Sequence, residues 1–308
     1  MPPRSPLPPR HGLGAAWVRT PDHDRTSPAP APTLGAWLRD RLPERVDVEA
    51  MLEAGRFVLG DGTPLVGDEP YRPHTFVWFH RDLRDEPEVP GDMPVLHEDD
   101  RLLVVDKPAF LATIPRGRHV RQSVVVRLRD QLGLPELTPA HRLDRVTSGV
   151  LVLVKERRWR GAYQSLFARR EVQKTYLALA RHDPGLSLPL TVSNHVRKDR
   201  GTLRAEVVPD APVNAVTHVD LDEVRGGLAV YRLSPATGRT HQLRLHLCGL
   251  GVPIVGDPLY PDVLDLPVDD MSTPLQLLAH TLSFDDPVDE QPRTFTSHRS
   301  LPLTVGDR

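Results

Sequence analysis

One cysteine, Cys248, stands in 308 residues, so an internal disulfide and any cysteine-built zinc or iron–sulfur site are excluded, as a reducing cytoplasm would have it. Aromatic residues make up 5% of the chain, too few to line an extended base-stacking surface. No apolar run approaches the roughly 20 residues that cross a bilayer. The N-terminus lacks the apolar core of a signal peptide. A soluble cytoplasmic protein is expected, and nothing in the sequence requires more than a monomer. A glycine-rich phosphate loop is missing, as is the repeating strand–helix rhythm of a parallel α/β sheet. Proline, by contrast, is plentiful. Nine of the 33 fall within residues 1–32, where no apolar periodicity could support packing, so this segment is expected to be a disordered tail.

The formal net charge of -2 hides an asymmetry. Between Arg101 and Arg204, 21 Lys and Arg stand against 8 Asp and Glu, so the flanks together carry a net charge of -15. Clusters at Arg116, Arg118 and Arg121, at Lys155 to Arg160, at Arg169 to Lys174 and at Arg197 to Arg204 form the electrostatic footprint of a phosphate-backbone partner, or else a solvated basic face.

Helical spacing of Leu34, Trp37, Leu38 and Leu42 after a Thr33 cap predicts a short helix ending before Pro43. A second should run from an Asp47 cap to Gly55. Arg56–Leu59 with the Gly60-Asp61-Gly62 turn suggests a hairpin, and Phe76–Phe79 a further strand. Residues 33–82 thus read as a small α+β module, 83–94 as an acidic linker, and 95–308 as the main domain. That domain opens with a strand that Pro108 ends. Its strands, irregular loops and few helices point to an α+β fold around a mixed, mostly antiparallel sheet.

Within the main domain, His141-Arg142-Leu143-Asp144-Arg145-Val146-Thr147-Ser148-Gly149 leads into Val150–Val154, an apolar run of buried-strand character. A charged loop pinned to a core strand is a common way to hold a functional side chain. Asp144 is therefore either a reactive carboxylate or one half of a surface ion pair. Tyr176, near the start of the strand read at Glu171–Ala180, is a packing residue or a proton-transfer group. Thr237–Gly251 reads as a helix capped by Thr240 and ended by glycines. Arg244 sits one turn from His241 on that helix, and if buried it needs a carboxylate partner, for which Asp144 is the obvious candidate. His241 and His246 lie off the spacing that one helical face needs to hold zinc, so no metal site is expected. Pro253–Tyr260 reads as an architectural strand and turn.

Taken together, the His141–Gly149 motif, Lys174-Thr175-Tyr176, and Gly238–Arg244 through Gly256-Asp257 resemble the RluA-type pseudouridine synthases in order and spacing, from about Val95 to Phe284. The chain departs from that pattern at Ala109-Phe110, where the family more often has a glycine and an aliphatic residue. Residues 33–82 also resemble, in pattern, the small RNA-binding domain first described in a ribosomal small-subunit protein. The first resemblance implies a pseudouridine-synthase fold with a central catalytic cleft, and isomerisation of uridines in ribosomal or transfer RNA without cofactor or metal. It implies Asp144 as the nucleophile, Arg244 as its ion-pair partner, and Tyr176 stacked on the target base and assisting proton removal in the last step. Arg142 would fill the gap left by the flipped uridine, and Leu245 would form apolar wall. His141, Thr147, Arg239 and His241 complete the expected substrate-binding set. A binding-only RNA protein and a carboxylate-dependent N-glycoside hydrolase are the other readings, and the second wants another catalytic carboxylate that no motif offers.

Overall fold

A computed structural model describes residues 2–22 and 29–301; the stretch 23–28 of the proline-rich segment and the last seven residues lie outside it. The chain divides into two compact units, Met1–Arg84 and Asp85–Arg308.

The first unit holds β1 (Ala16–Arg19), α1 (Leu34–Arg41), α2 (Val48–Glu53) and β2 (Phe76–Phe79). Thr33 and Asp47 cap the two helices as expected, accepting from Ala36 N at 3.2 Å and Ala50 N at 3.0 Å. Leu34, Trp37, Leu38, Met51, Leu52, Phe57 and Val77 form the core. The expected tail is corrected here. Ala16–Arg19 pairs antiparallel with Phe76–Phe79, and buried Thr20 donates its hydroxyl to Arg72 O at 2.6 Å. A four-residue strand between proline-dense stretches has no local signal, because its partner lies sixty residues away.

The second unit contains β3 (Val95–Glu98), β4 (Leu102–Lys107), α3 (Val124–Leu132), β5 (Thr138–Pro139), β6 (Ser148–Val154), α4 (Arg157–Arg169), β7 (Gln173–Arg181), β8 (Leu190–Asn194), β9 (Val196–Arg197), β10 (Glu206–Val207), β11 (Ala215–Arg225), β12 (Leu228–Pro235), α5 (Gln242–Gly249), β13 (Leu277–Asp285) and β14 (Pro292–Thr296). The main sheet runs β3-β4-β6-β13-β7-β12-β11-β8. Every pairing along it is antiparallel except β13 with β6, so the expected mixed, mostly antiparallel α+β fold is what forms. The presumed linker is not one: Glu86 accepts from the backbone N–H groups of Val120, Arg121 and Gln122 at 2.9–3.1 Å, and Val89 is buried in the core.

Strands β4 and β6 are apolar on both faces because both faces are covered. Leu103, Val105, Leu151 and Leu153 pack with α3 and α5 on one side. Their neighbours Leu102, Val104, Val150, Val152 and Val154 pack with Tyr163 and Leu166 of α4 on the other. Helix α5 is tied to the sheet by polar groups as well. Gln242 Nε2 donates to Thr217 Oγ1 at 2.9 Å, and His246 bridges Thr217 Oγ1 at 2.9 Å and Asn194 Oδ1 at 3.0 Å. A neutral imidazole satisfies both partners, accepting from the hydroxyl and donating to the amide oxygen. Burial accordingly pushes the His246 pKa down to about 4.

Two predictions follow from these contacts. Gly149 has φ +110°, and a Cβ there would lie 2.2 Å from Ala279 O across the parallel β6–β13 junction. Gly149→Ala should cost about 3 kcal/mol or more, a drop in Tm of roughly 6–12 °C by scanning calorimetry; an unchanged Tm would refute the close approach. For His246 the folded state resists a proton that the unfolded state accepts, so its contribution to stability is full above about pH 6.5 and is lost as pH falls toward about 4. Between pH 7 and pH 5 this amounts to about 2 kcal/mol, read as a fall in urea unfolding free energy that His246→Gln should diminish.

Candidate active site

A cavity of about 640 Å³ opens where the loop before β6, the start of β7, the end of β12 and the N-terminus of α5 converge. Asp144 is the one acidic residue among the described residues that line it. The loop is held from three directions. Thr147 N donates to Asp144 O at 3.1 Å, closing the turn. Thr113 Oγ1 and the Leu143 backbone exchange hydrogen bonds at 2.8 and 3.1 Å. Lys107, fully buried, donates its three protons to Pro108 O, Leu111 O and Arg145 O at 2.9, 2.7 and 3.1 Å. Burial pushes the Lys107 pKa down to about 7 against the opposing pull of Asp144, while the three carbonyls are the partners an ammonium wants. The sequence carried a signal for this lysine, since a charged residue ending the wholly apolar Leu102–Val105 run has to be accounted for.

Arg244 has another carboxylate partner besides the expected Asp144. The guanidinium is buried, and its Nε and Nη2 bind Asp257 Oδ2 and Oδ1 at 2.7 and 2.5 Å, the bidentate fork that suits arginine. Asp144 Oδ2 stands 3.6 Å from Nη1 as the second carboxylate. Burial works against the charge on Arg244, and Asp257 with Asp144 outweighs it, holding the pKa above its ordinary value. Asp257 had been read as part of an architectural turn. The turn is tight because Gly256 has φ +75° and a Cβ would meet Pro274 O at 2.5 Å, and it aims a carboxylate that also accepts from Leu259 N and Tyr260 N.

The cap of α5 is corrected too. His241, not Thr240, occupies the N-cap position, with φ 58° and no side-chain cap. Its ring turns instead to the cavity wall, with Nδ1 3.1 Å from Tyr260 Oη and Nε2 3.9 Å from Asp144 Oδ2. Desolvation lowers its pKa, opposed by Asp144 and reinforced by Arg244, so the imidazole is neutral at pH 7. Tyr260 itself escaped sequence reading. Tyr176 lies on β7, paired with Leu233 and Ala279, and lines the cavity. Burial and then Asp144 raise its phenol pKa, so the group stays protonated.

The remaining expected residues divide. Arg142 and Arg239 are exposed at the cavity, and Arg239 Nε donates to Asn214 O at 3.3 Å. Thr147 is buried and lines it. His141 also lines it, but its Nε2 accepts from Val152 N at 3.2 Å and its ring stacks on Phe167 at 4.5 Å. Burial pushes His141 down to about 3, so it serves as a neutral strut of the loop. Leu245 is displaced from the site: it packs against Val196, Ala205 and Ala215, and Leu243 lines the cavity in its place. Helical geometry decides this, since two residues apart on a helix face opposite ways. Arg116, Arg170 and Lys174 complete a basic lining. Among the described residues no cluster of three metal-ligating side chains forms, and no helix is long and apolar enough to cross a membrane.

Residues 101–248 match the family described as RNA pseudouridylate synthase. Over 220 residues the chain is 36% identical to ribosomal large subunit pseudouridine synthase D of Xanthomonas campestris pv. campestris, a match covering 66% of this chain and 65% of that one. It is 35% identical over 184 residues to the dual-specificity RNA pseudouridine synthase RluA of Vibrio vulnificus, spanning 54% of this chain and 68% of the relative. The solved structure of human RNA pseudouridylate synthase domain containing 4 superposes with a TM-score of 0.52 at 29% identity, over 68% of this chain and 88% of that chain. The chain belongs to the RNA pseudouridylate synthase family, as an RluA-type member.

Proposed function

We propose that the cavity isomerises a uridine in structured RNA, ribosomal or transfer RNA, to pseudouridine, with Asp144 as the nucleophile. The observation that carries this reading is the lone carboxylate set between the Arg244 guanidinium and the His241 imidazole in a cavity otherwise lined by neutral and basic groups. A carboxylate so placed can form a bond to carbon and leave again, and the buried cation beside it stabilises the charge that returns on departure. Tyr176 offers a flat, protonated phenol against the base, and exposed Arg142 is free to fill the gap in the stack once the uridine has swung out. Arg116, Arg170, Lys174 and Arg239 supply positive charge for the flanking phosphates. The substrate class is supported by the relatives named for ribosomal and dual RNA specificity.

The reaction conserves every atom of the nucleotide, so the chain is an isomerase. One half-exposed free cysteine suits the cytoplasm, where we place the enzyme as a monomer. An N-glycoside hydrolase would want a second carboxylate in the cavity, and Asp257 is behind Arg244 with 1% of its side chain exposed. A protein that only grips RNA has no use for a buried ion pair aimed at Asp144, which is costly to desolvate.

Asp144→Asn is expected to lower turnover by about 1,000-fold or more while RNA affinity by filter binding stays within a few-fold. Turnover near the parent rate would sink the assignment. Carbodiimide mapping of total RNA from cells with and without the protein should show a pseudouridine site lost with it, which names the substrate.

A further inference from the structure

A protonated phenol is a poor proton acceptor, which leaves the released Asp144 carboxylate and the histidines of the lining as the candidates for the last proton transfer. Once the uracil is rejoined to the sugar through C5, that carbon still bears its hydrogen, and something must accept the proton. We propose that His241, through Nε2, is the catalytic residue that removes the proton from C5. This inference rests on the pseudouridine synthase reading above.

The hydrogen-bond count assigns the ring its tautomer. Tyr260 is buried, and its one hydroxyl proton goes to Ala205 O at 2.9 Å, while its oxygen accepts from Ala205 N at 2.8 Å. The remaining contact, His241 Nδ1 to Tyr260 Oη at 3.1 Å, is then made with the proton on Nδ1. The reverse tautomer would strip buried Ala205 O of its donor and point an N–H at Asp144 Oδ2 across 3.9 Å, too far for a hydrogen bond. So Nε2 carries a lone pair at the cavity wall, beside the carboxylate at which the new bond to the sugar is made. The other two histidines of the lining differ: Nε2 of His141 is occupied by Val152 N, and His119 sits in the exposed-rim loop around Arg116. The left-handed backbone of His241, φ 58° in a residue with a Cβ, is a strain that this side-chain placement explains.

The step balances. The C5–H bond breaks, its electron pair forms the C5–C6 double bond, and the C6–N1 pair returns to N1, which takes a proton from water. The C5 proton passes to Nε2 and from the imidazolium to water, so nothing is oxidised or reduced. The imidazolium formed in the step faces Asp144, which favours the charged form as it develops. The neutral starting form is favoured by burial and by Arg244. Besides these, Asp257, Lys198 and Tyr260 are the titratable groups that face the ring.

The test uses the full chain and, as probe, total RNA from cells lacking the protein, labelled at uridine C5 with tritium or deuterium. Wild type should release tritium to water as pseudouridine forms; if it does neither, the underlying activity is wrong and His241 is not at issue. With activity present, His241→Gln should slow single-turnover release by about 100-fold, keep RNA affinity within about three-fold, and develop a primary deuterium effect of several-fold. The wild-type rate should fall on acidification with an apparent pKa below 6.5, the limb that titrates His241, and this limb should be missing from the variant. Release within a few-fold of wild type, or slower release with neither isotope effect nor change of the acid limb, overturns the proposal. Should His241→Gln not fold, Tyr260→Phe carries the test. It keeps the ring but removes the acceptor for Nδ1–H, which binds the imidazolium more strongly than the neutral ring, so the acid limb should move to lower pH. An unmoved limb there overturns the proposal equally.

Discussion

The site depends on one buried cation. Arg244 is 2% exposed in its side chain, and a guanidinium so desolvated is tolerable only where carboxylates surround it. Asp257 meets this need with both oxygens and thereby fixes the plane of the fork, leaving Nη1 directed at Asp144. At 3.6 Å, and with an effective dielectric of about 20, the attraction of that third group is on the order of 4–5 kcal/mol before desolvation, enough to hold a loop carboxylate in one place. The geometry joins two segments about a hundred residues apart in sequence. A shift of either by an ångström would break the arrangement, and the surrounding contacts are understandable as ways of preventing that.

Those contacts come from well-separated parts of the chain. Lys107 grips Arg145 O and so fixes the residue after the carboxylate. The parallel junction of β6 with β13, possible only because Gly149 lets the backbones close, fixes where the loop ends. On the other side the Gln242–Thr217–His246–Asn194 chain locks the roll of α5, and Gly256 sets the turn that carries Asp257. Leu243 and Leu247 pack α5 into the core, and hydrogen bonds with fixed directions add orientation that non-directional apolar contact does not specify. The cavity lining is thereby held through hydrogen bonds to core strands and to α5.

How far this could be read from the sequence varies with the range of the contact. Strand β6 and helices α1 and α2 were legible because their signals are local: an apolar run, a cap and a periodicity. Asp144, Tyr176 and Arg244, named together through the family resemblance, line one cavity. Asp257 was not legible, because nothing in Gly-Asp-Pro distinguishes a turn-former from a buried ligand until Arg244 is known to lie opposite. Strand β1 was hidden by its prolines, and Leu245 was misplaced because a helix turns its side chain away from the cavity that Leu243 reaches. His241 at the cap position has a positive φ, which residue identity favours only weakly, so Thr240 was the better choice on composition and still the wrong one. The failures share a cause: each concerns a direction in space, whereas the successes concern a position in the chain.

The same distinction alters the meaning of the basic middle third. Many of its cations are already engaged. Lys155 binds Glu98, Arg158 binds Glu156, Arg169 binds Glu171, and Arg197 binds Glu206. Arg101 is committed to Asp286 and Asp289. The exposed pairs among these contribute little to stability, and those whose acidic partner lies outside 101–204, at Glu98, Glu206, Asp286 and Asp289, offset part of the excess counted along the chain. Of this stretch, Arg116, Arg142, Arg145, Arg170 and Lys174 line the cavity, and Arg239 joins them from outside the stretch. A phosphate backbone approaching this surface meets positive charge at the mouth of the site, so near-neutrality overall can coexist with a local attraction for RNA.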